Sequence, residues 1–265
     1  MQDLKTSNNQ NNSRSAESSK VPPSEGFREA FILHLADTTL ILAQRNSEWC
    51  AHGPILEQDI AITNISLDLL GQSRNFYQHA ATITGNGSTE DSLAYLRNER
   101  EFKNPLLVEL PNGDWAQTIL RQFFFSVYQS LLYRQLQNSG DKQLAAIAEK
   151  ALKEITYHIK WSSEWVIRLG DGTEESNTRM KKAVSYLWEY TGELFIKATY
   201  ETVDVSLLKD SWLKEVAEVF EEATLTVPGQ TYMQTGGKQG IHTEHLGYIL
   251  AEMQSLQRTY PGAEW

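Results

Sequence analysis

Glu154 and His158 are the side chains in this sequence whose type and spacing most directly suggest chemistry. They lie one helical turn apart in the segment 144–165, where apolar residues return every three or four positions. Both therefore fall on the stripe that should face a helical core. A carboxylate and an imidazole on an inner helix face are typical of four-helix bundles that hold two metal ions. A centre of this kind depends on further ligands from the other helices.

The remaining ligands of a di-metal centre are mostly missing from the sequence. A di-iron or di-manganese bundle needs about six protein ligands, contributed by four helices. Glu154 lacks the histidine three residues later that a Glu-x-x-His motif requires, and Asp68 on the second predicted helix lacks it too. The helix predicted over residues 114–137 has no Asp or Glu between residues 115 and 137. We interpret Asp68, Glu154 and His158 as vestiges of a metal site, with Glu154 and His158 as a buried polar pair.

A second group of candidate residues lies at the start of the last predicted helix. His242 and His245 form an H-x-x-H pair that could contribute to a zinc site. A structural zinc site needs four ligands, and the single cysteine of the chain, Cys50, is far away in sequence. Simple hydrogen bonding is therefore the favoured interpretation of both histidines.

The loop before this helix has features of a contact with an anion or a partner. Gly236 and Gly237 permit close approach of the backbone, and Lys238 adds a positive charge near a helix N-terminus. The loop lacks the G-x-x-x-x-G-K-[ST] pattern of P-loops. We predict that Gly236, Gly237 and Lys238, together with His242 and His245, lie at a contact with another subunit or an anionic group.

Composition argues against several classes of function. The chain has 265 residues, of which 40% are hydrophobic, and a net charge of −10. Nucleic-acid and anionic-membrane binders need clustered cations, so neither partner is expected. No apolar run approaches the roughly 18 residues of a membrane span, and one cysteine cannot form an intramolecular disulfide. We therefore expect a cytoplasmic protein.

Hydrophobic periodicity predicts an all-α fold without a sheet. Helices are predicted over residues 27–48, 55–83, 89–99, 114–137, 141–169, 173–201, 207–223 and 242–260. Asp114 and Asp141 are the expected N-caps of two of them. The segment 100–115 contains Pro105 and Pro111 and is expected to run irregularly over the surface. No internal repeat is found.

The N-terminal part of the chain differs in composition from the rest. Its Asn/Ser-rich opening has almost no apolar residue to bury, which is typical of a disordered segment. We therefore predict a disordered N-terminal extension over residues 1–26. A single helical domain is predicted over residues 27–265.

Several stretches of the sequence resemble the PaaC family, whose members are C subunits of the phenylacetyl-CoA epoxidase complex. They are residues 65–76, 98–115, 153–158 and 235–254, together with the closing PGAEW. The resemblance covers residues 27–265. It implies a ferritin-like helical bundle with additional helices.

The resemblance also implies a role in phenylacetate catabolism. The chain would be a non-catalytic, structural subunit of a monooxygenase that epoxidises the ring of phenylacetyl-CoA. It would bind and stabilise a catalytic subunit that holds the di-iron centre, with no cofactor and no catalytic residue of its own. The other subunits of the complex are further expected partners.

Two other functions are compatible with the sequence. The chain could be a ferritin-like di-metal oxygenase or oxidase in its own right, which metal content would distinguish from a structural subunit. It could also be a coenzyme A or other anion-binding module that uses Lys238.

Overall fold

Helices provide the regular secondary structure of residues 25–263, the part of the chain that the computed structural model describes. The α-helices of this part are α1 Glu25–Ser47, α2 Leu56–Thr84, α3 Glu90–Tyr95, α4 Leu106–Glu109, α5 Trp115–Leu136, α6 Lys142–Gly170, α7 Glu174–Leu187, α8 Lys209–Glu222 and α9 Glu244–Thr259. No strand occurs between residues 25 and 263, so the all-α prediction is confirmed.

The four longest helices, α1, α2, α5 and α6, form a bundle of two hairpins. In the first hairpin α1 and α2 are antiparallel, because Thr84 at the end of α2 donates to Glu29 near the start of α1. The second hairpin joins α5 to α6 through residues 137–141. Between the hairpins α2 packs on α6, where the indoles of Trp161 and Trp165 both donate to Gln58 Oε1. The interior of the bundle therefore lies among these four helices.

The predicted N-caps of α5 and α6 are confirmed. The Asp114 side chain accepts from the backbone N–H of Gln117, and the Asp141 side chain accepts from two N–H groups of the first turn of α6. Asp141 also accepts from Arg28 on α1 and lies 2.8 Å from His79 Nε2 on α2. One carboxylate thus starts α6 and ties it to the other hairpin.

Two shorter helices, α7 and α8, cover the second hairpin around an aromatic cluster. The ring of Phe124 on α5 contacts the rings of Trp188, Trp212 and Phe220. Trp212 is almost fully buried, and its indole N–H donates to the Phe124 carbonyl at 2.9 Å. The polar end of this large ring is therefore satisfied inside the core.

The helix predicted over residues 173–201 is wrong beyond Leu187. There α7 gives way to two short 3-10 helices, Trp188–Tyr190 and Gly192–Phe195. Gly192 lies against Met233, whose side chain fills the space that a Cβ would need. The chain turns here instead of continuing as a helix, which brings residues 193–201 beneath the loop that precedes α9.

Residues 104–110, the middle of the segment 100–115, are part of the core, and the prediction of a surface excursion is wrong for them. Leu107, Val108 and Leu110 have no exposed surface, and Glu109 is fully buried with them. The prolines mark the two ends of this buried stretch, with Pro105 as the N-cap of α4. The prolines located the turns correctly, but the apolar residues between them were the better indication of burial.

The buried hydrophobic side chains of the described residues form one continuous cluster. The first helix starts at Glu25, two residues before the predicted domain boundary. The rest of the predicted N-terminal extension lies outside the described residues. None of the helices in residues 25–263 combines the length and the apolar character needed to cross a membrane.

Candidate functional site

Two polar contacts join α2 and α6 inside the bundle. His158 Nε2 on α6 lies 3.0 Å from Asp68 Oδ2 on α2, and Gln72 Nε2 on α2 donates to Glu154 Oε2 on α6 at 2.9 Å. Asp68 and Gln72 are one helical turn apart, as are Glu154 and His158, and the two helices are antiparallel. The two contacts between the helices therefore lie next to each other, one helical turn apart.

The predicted pairing of Glu154 with His158 is wrong. Each of these side chains has its partner on α2, although they are neighbours on α6. His158 is fully buried, as its place on the apolar stripe predicted, whereas Glu154 is only partly buried. The Asp68 side chain is 36% exposed, so a buried imidazole is bonded to a carboxylate at the edge of solvent. The periodicity of α6 could not show which residues of α2 lie opposite.

A chain of neutral side chains continues from Glu154 towards α5. Gln72 Oε1 accepts from Gln129 Nε2 at 2.9 Å, and the same nitrogen lies 3.1 Å from the Tyr133 hydroxyl oxygen. Gln72, Gln129 and Tyr133 are all buried. The sequence did not single out these residues, although two glutamines on otherwise apolar helix faces were a usable signal.

A small cavity of about 110 Å³ lies beside these contacts. It is lined by Leu67, Asp68, Gly71, Gln72, Asn75, Ile147, Lys150, Ala151 and Glu154. Within residues 25–263 no three His, Cys, Asp or Glu side chains are grouped so that they could hold a metal ion.

The donors around this cavity do not fit the di-metal centre of ferritin-like oxygenases. Such a centre takes carboxylates from all four helices and a histidine from two of them. Here one imidazole and two carboxylates come from α2 and α6, and both carboxylates are engaged by neighbouring side chains. Next to Gln72, α5 contributes the amide of Gln129 and the phenol of Tyr133. We therefore derive no chemical step through a metal in this chain.

The loop at residues 236–242 is bound tightly to the rest of the chain. Gly236 has a φ of 142°, and its N–H donates to Glu193 Oε1 at 2.9 Å. Gly237 packs so closely on Asn104 that an added Cβ would lie 2.3 Å from the Asn104 carbonyl oxygen. Close backbone approach was the predicted role of these glycines, but their neighbours belong to this same chain.

The sequence suggested that Lys238 presents its positive charge at the surface. The structure places it in the core instead. The side chain is buried, and Nζ lies 2.9 Å from Glu201 Oε1. The same nitrogen donates to the carbonyls of Leu194 and Ile196. Burial lowers the pKa of Lys238, although Glu201 and Glu193 oppose the shift. Its three donor positions are used inside the chain, so the prediction of an anion contact through Lys238 is wrong.

The two histidines of the H-x-x-H pair have separate environments. His242 Nδ1 lies 2.8 Å from Glu109 Oε2, and His242 Nε2 lies 3.0 Å from the Phe102 carbonyl oxygen. Burial lowers the pKa of His242, but the hydrogen bond to Glu109, the charge of Glu109 and the hydrogen bond to the Phe102 carbonyl together outweigh burial, and the net shift is upward. His245 is partly buried in the first turn of α9. With both nitrogens of His242 engaged, the favoured hydrogen-bonding interpretation is confirmed for that residue.

The fold and the polar residues between α2 and α6 can be compared with those of known proteins. The family model described as "Phenylacetic acid catabolic protein" matches residues 18–265. The chain belongs to the phenylacetic acid catabolic protein family. It is also 50% identical over 244 residues to the C subunit of the 1,2-phenylacetyl-CoA epoxidase of Escherichia coli (strain K12). That alignment covers 89% of this chain and 98% of the relative.

Membership of the phenylacetic acid catabolic protein family confirms two predictions. The resemblance to the family, inferred from five stretches of sequence, is confirmed. The ferritin-like prediction is confirmed as well, because the family is a helical ferritin-like one and the bundle of α1, α2, α5 and α6 fits it.

This member of the phenylacetic acid catabolic protein family contains buried acids that the sequence did not reveal. Glu109 accepts from the backbone N–H and hydroxyl of Thr243 and from Asn104, and it faces His242. Glu109 therefore fixes the start of α9 from inside the core. Glu193 accepts from the N–H groups of Gly236 and Lys238, and it fixes the loop that precedes α9 in the same way. Their only local sign was an acid within or beside an apolar run.

Proposed function

We propose that this chain is a non-catalytic structural subunit of a phenylacetyl-CoA epoxidase complex. In this proposal it binds and stabilises a catalytic subunit, and that subunit holds the di-iron centre. Other subunits of the complex are further proposed partners. The observation that carries the proposal is the donor set between α2 and α6, which is too poor in carboxylate and imidazole for a di-metal centre.

The geometry of the bundle supports a structural role. The positions that face the bundle interior beside Glu154 are filled by a continuous set of side-chain hydrogen bonds through Gln72, Gln129 and Tyr133. Such a set joins three helices without a metal. Gln129 Oε1 is left without a hydrogen-bond partner among the described residues, so the network is held through its donor groups.

The comparisons support the same kind of complex. The Escherichia coli relative is named as the C subunit of 1,2-phenylacetyl-CoA epoxidase, and nearly its whole length is covered by the alignment. Half of the aligned residues are identical, which makes a shared architecture expected. We carry the subunit role over to this chain as part of the proposal. A cytoplasmic location stays a prediction.

The two alternative functions have less support. A di-metal oxygenase in its own right would need ligands from α5, and none of the acidic or imidazole side chains of residues 25–263 are grouped for a metal. An anion-binding module would need Lys238 to be free to contact a ligand. The positive charge of Lys238 is already neutralised by Glu201 inside the core. Neither alternative is favoured by a specific contact.

Iron analysis of the purified chain and of the co-expressed complex tests the proposal. We expect no stoichiometric iron in this chain alone, and about two iron atoms for each catalytic subunit in the complex. We also expect the melting temperature of the catalytic subunit to rise when this chain is bound, since a ligand of the native state stabilises it. About two iron atoms in the isolated chain, or a catalytic subunit that does not bind it, would overturn the proposal.

A further inference from the structure

Both ring nitrogens of His242 face hydrogen-bond acceptors. Nδ1 lies 2.8 Å from Glu109 Oε2, and Nε2 lies 3.0 Å from the carbonyl oxygen of Phe102. A backbone carbonyl has no proton to donate, so Nε2 must carry one. An ionised carboxylate has none either, so a charged Glu109 requires a second proton on Nδ1. A neutral imidazole has a single N–H and can bond to only one of these two acceptors.

The other contacts of Glu109 indicate that its carboxylate is ionised. Oε1 accepts from the backbone N–H and from the hydroxyl of Thr243, and Oε2 accepts from Asn104 Nδ2 at 2.8 Å. The Thr243 hydroxyl oxygen also accepts from the N–H of His245, which leaves its one proton for Glu109. Three donors on one carboxylate favour its charged form. The second proton therefore lies on His242, which is an imidazolium.

The surroundings of the ring favour this charge. The side chains of His242 and Glu109 have no exposed surface, so water does not screen their attraction. Asp37 on α1 also raises the pKa of His242, while Asp37 is itself paired with Arg97. The charged groups that act on the ring thus come from α4 and α1 as well as from its own end of α9.

The contacts of His242 hold one end of a helix that lies at the edge of the fold. α9 packs mainly on α3, on α4 and on the short 3-10 helix Glu99–Glu101. Its buried apolar side chains are Leu246, Ile249 and Leu250, and Gln254 donates to two carbonyls of residues 94–97. At the start of α9 the side-chain bonds to the core are those that reach Glu109 and Phe102.

The loop that precedes α9 is held by different groups. Glu193 accepts from the N–H groups of Gly236 and Lys238, and Lys238 Nζ pairs with Glu201. Ile241, between this loop and His242, is 69% exposed. Loss of the His242 contacts can therefore loosen the start of α9 without loosening the loop before it.

We propose that His242 is a proton-dependent latch, which holds the start of α9 on the core as an imidazolium and releases it when the second proton is lost to water. A neutral ring would leave either the Glu109 carboxylate or the Phe102 carbonyl unpaired in the core, which is costly. The latch is complete below the unfolded imidazole pKa of about 6.5 and is lost as the pH rises through the higher folded value. This inference does not depend on the proposed subunit role, because it concerns the chain by itself.

Hydrogen exchange of the full chain at about pH 6 and about pH 9 tests the latch. Protection factors, which are corrected for the pH dependence of intrinsic exchange, are compared between the first turns of α9 and the middle of α5. We expect protection in α9 to fall at least about tenfold at the higher pH, because a hydrogen bond to a charged group changes an equilibrium by about that factor or more. Protection in α5 should not change. An equal fall in both helices, or no fall in α9, would overturn the proposal.

The variant Glu109→Gln separates the proton from the contacts. The glutamine oxygen can still accept from Thr243, and its NH₂ group can donate to Nδ1 of a neutral His242, whose Nε2–H keeps the bond to Phe102. We expect α9 to stay protected in this variant and its protection to be the same at both pH values. A pH dependence that persists would show that another group titrates.

The variant His242→Gln removes the latch at both pH values. One amide nitrogen cannot reach acceptors on two sides of the ring position, so we expect the protection of α9 at about pH 6 to fall to the wild-type value at about pH 9. His245→Gln is the matched control, because His245 is partly buried in the first turn of the same helix. This control should keep the pH dependence of the wild type, and its loss there would contradict the assignment to His242.

Nitrogen-15 NMR of the histidine rings in the wild-type chain observes the proton directly. The His242 signals are identified by their absence from the His242→Gln spectrum. We expect both ring nitrogens of His242 to be protonated at about pH 6 and one proton to be lost above the ordinary imidazole pKa of about 6.5. A neutral His242 ring at about pH 6 would place the second proton on Glu109 and overturn the proposal, whatever the variants do.

Discussion

His158 Nε2 and Asp68 Oδ2 lie 3.0 Å apart, with the imidazole fully buried and the carboxylate at the edge of solvent. Because the two side chains differ in burial, removing one of them costs more stability than removing the other. If His158 is removed, Asp68 can be hydrated where it lies. If Asp68 is removed, a buried ring nitrogen loses its partner, which is the more costly change.

The first prediction follows from this asymmetry. We expect Asp68→Leu to destabilise the chain by about 1 to 3 kcal/mol, and the combination with His158→Leu to deviate from additivity by at least about 0.5 kcal/mol. Denaturant unfolding of the two single variants and the double variant measures this coupling. Glu154→Leu with His158→Leu is the control pair, which should show weaker coupling. Equal coupling in both pairs would contradict the assignment of Asp68 as the partner of His158.

The second prediction concerns the buried ion pair of Lys238 and Glu201, whose side chains are at most 1% exposed. Lys238→Met removes the ammonium group from buried Glu201, which keeps the Ala198 N–H and a 3.7 Å contact with His34, and it should cost about 3 to 5 kcal/mol of stability. The double variant Lys238→Met with Glu201→Leu should recover part of this loss. A stable Lys238→Met variant with unaltered unfolding would show that Lys238 lies in solvent, as the sequence first suggested.

The third prediction is a pH dependence that originates at Asp141. Burial raises the pKa of Asp141, but hydrogen bonds from His79, the backbone and Arg28 outweigh burial, and the net shift is downward. The unfolded chain therefore binds a proton first as the pH falls. The stabilisation by the Asp141 carboxylate is complete above the unfolded pKa of about 3.9 and is lost as the pH falls through the folded value.

Comparison of the wild type with Asp141→Asn measures this contribution. Asparagine keeps the N-cap of α6 but not the negative charge that Arg28 contacts. We expect the wild type to be the more stable protein at about pH 5 and the difference to shrink steadily towards about pH 3. A difference that is constant across this range would show that the charge of Asp141 contributes nothing.

Local signals in the sequence predicted the helices well. Asp114 and Asp141 were identified as N-caps because a side-chain acceptor next to the first turn is a local feature. The buried position of His158 followed from the period of α6 alone. These features depend on residues within one or two turns, and they can therefore be predicted without knowledge of the fold.

Contacts between distant residues could not be predicted in the same way. Asp68 and His158 are 90 positions apart, and Lys238 and Glu201 are 37 apart. Their pairing depends on the rotation of each helix about its axis and on the path of the loops. A lysine between glycines looked like a surface anion contact because nothing local revealed Glu201 behind it.

We propose that this chain contributes no catalytic group to the complex. The most direct measurement is turnover of phenylacetyl-CoA by a complex that contains Asp68→Asn, Glu154→Gln and His158→Gln together. These changes remove the ionisable groups between α2 and α6 but keep polar side chains of similar size. Size-exclusion chromatography confirms assembly before the assay. We predict turnover within about twofold of the wild-type complex, whereas loss of a catalytic acid, base or metal ligand in a fully assembled complex would lower turnover by about a hundredfold or more and contradict the claim.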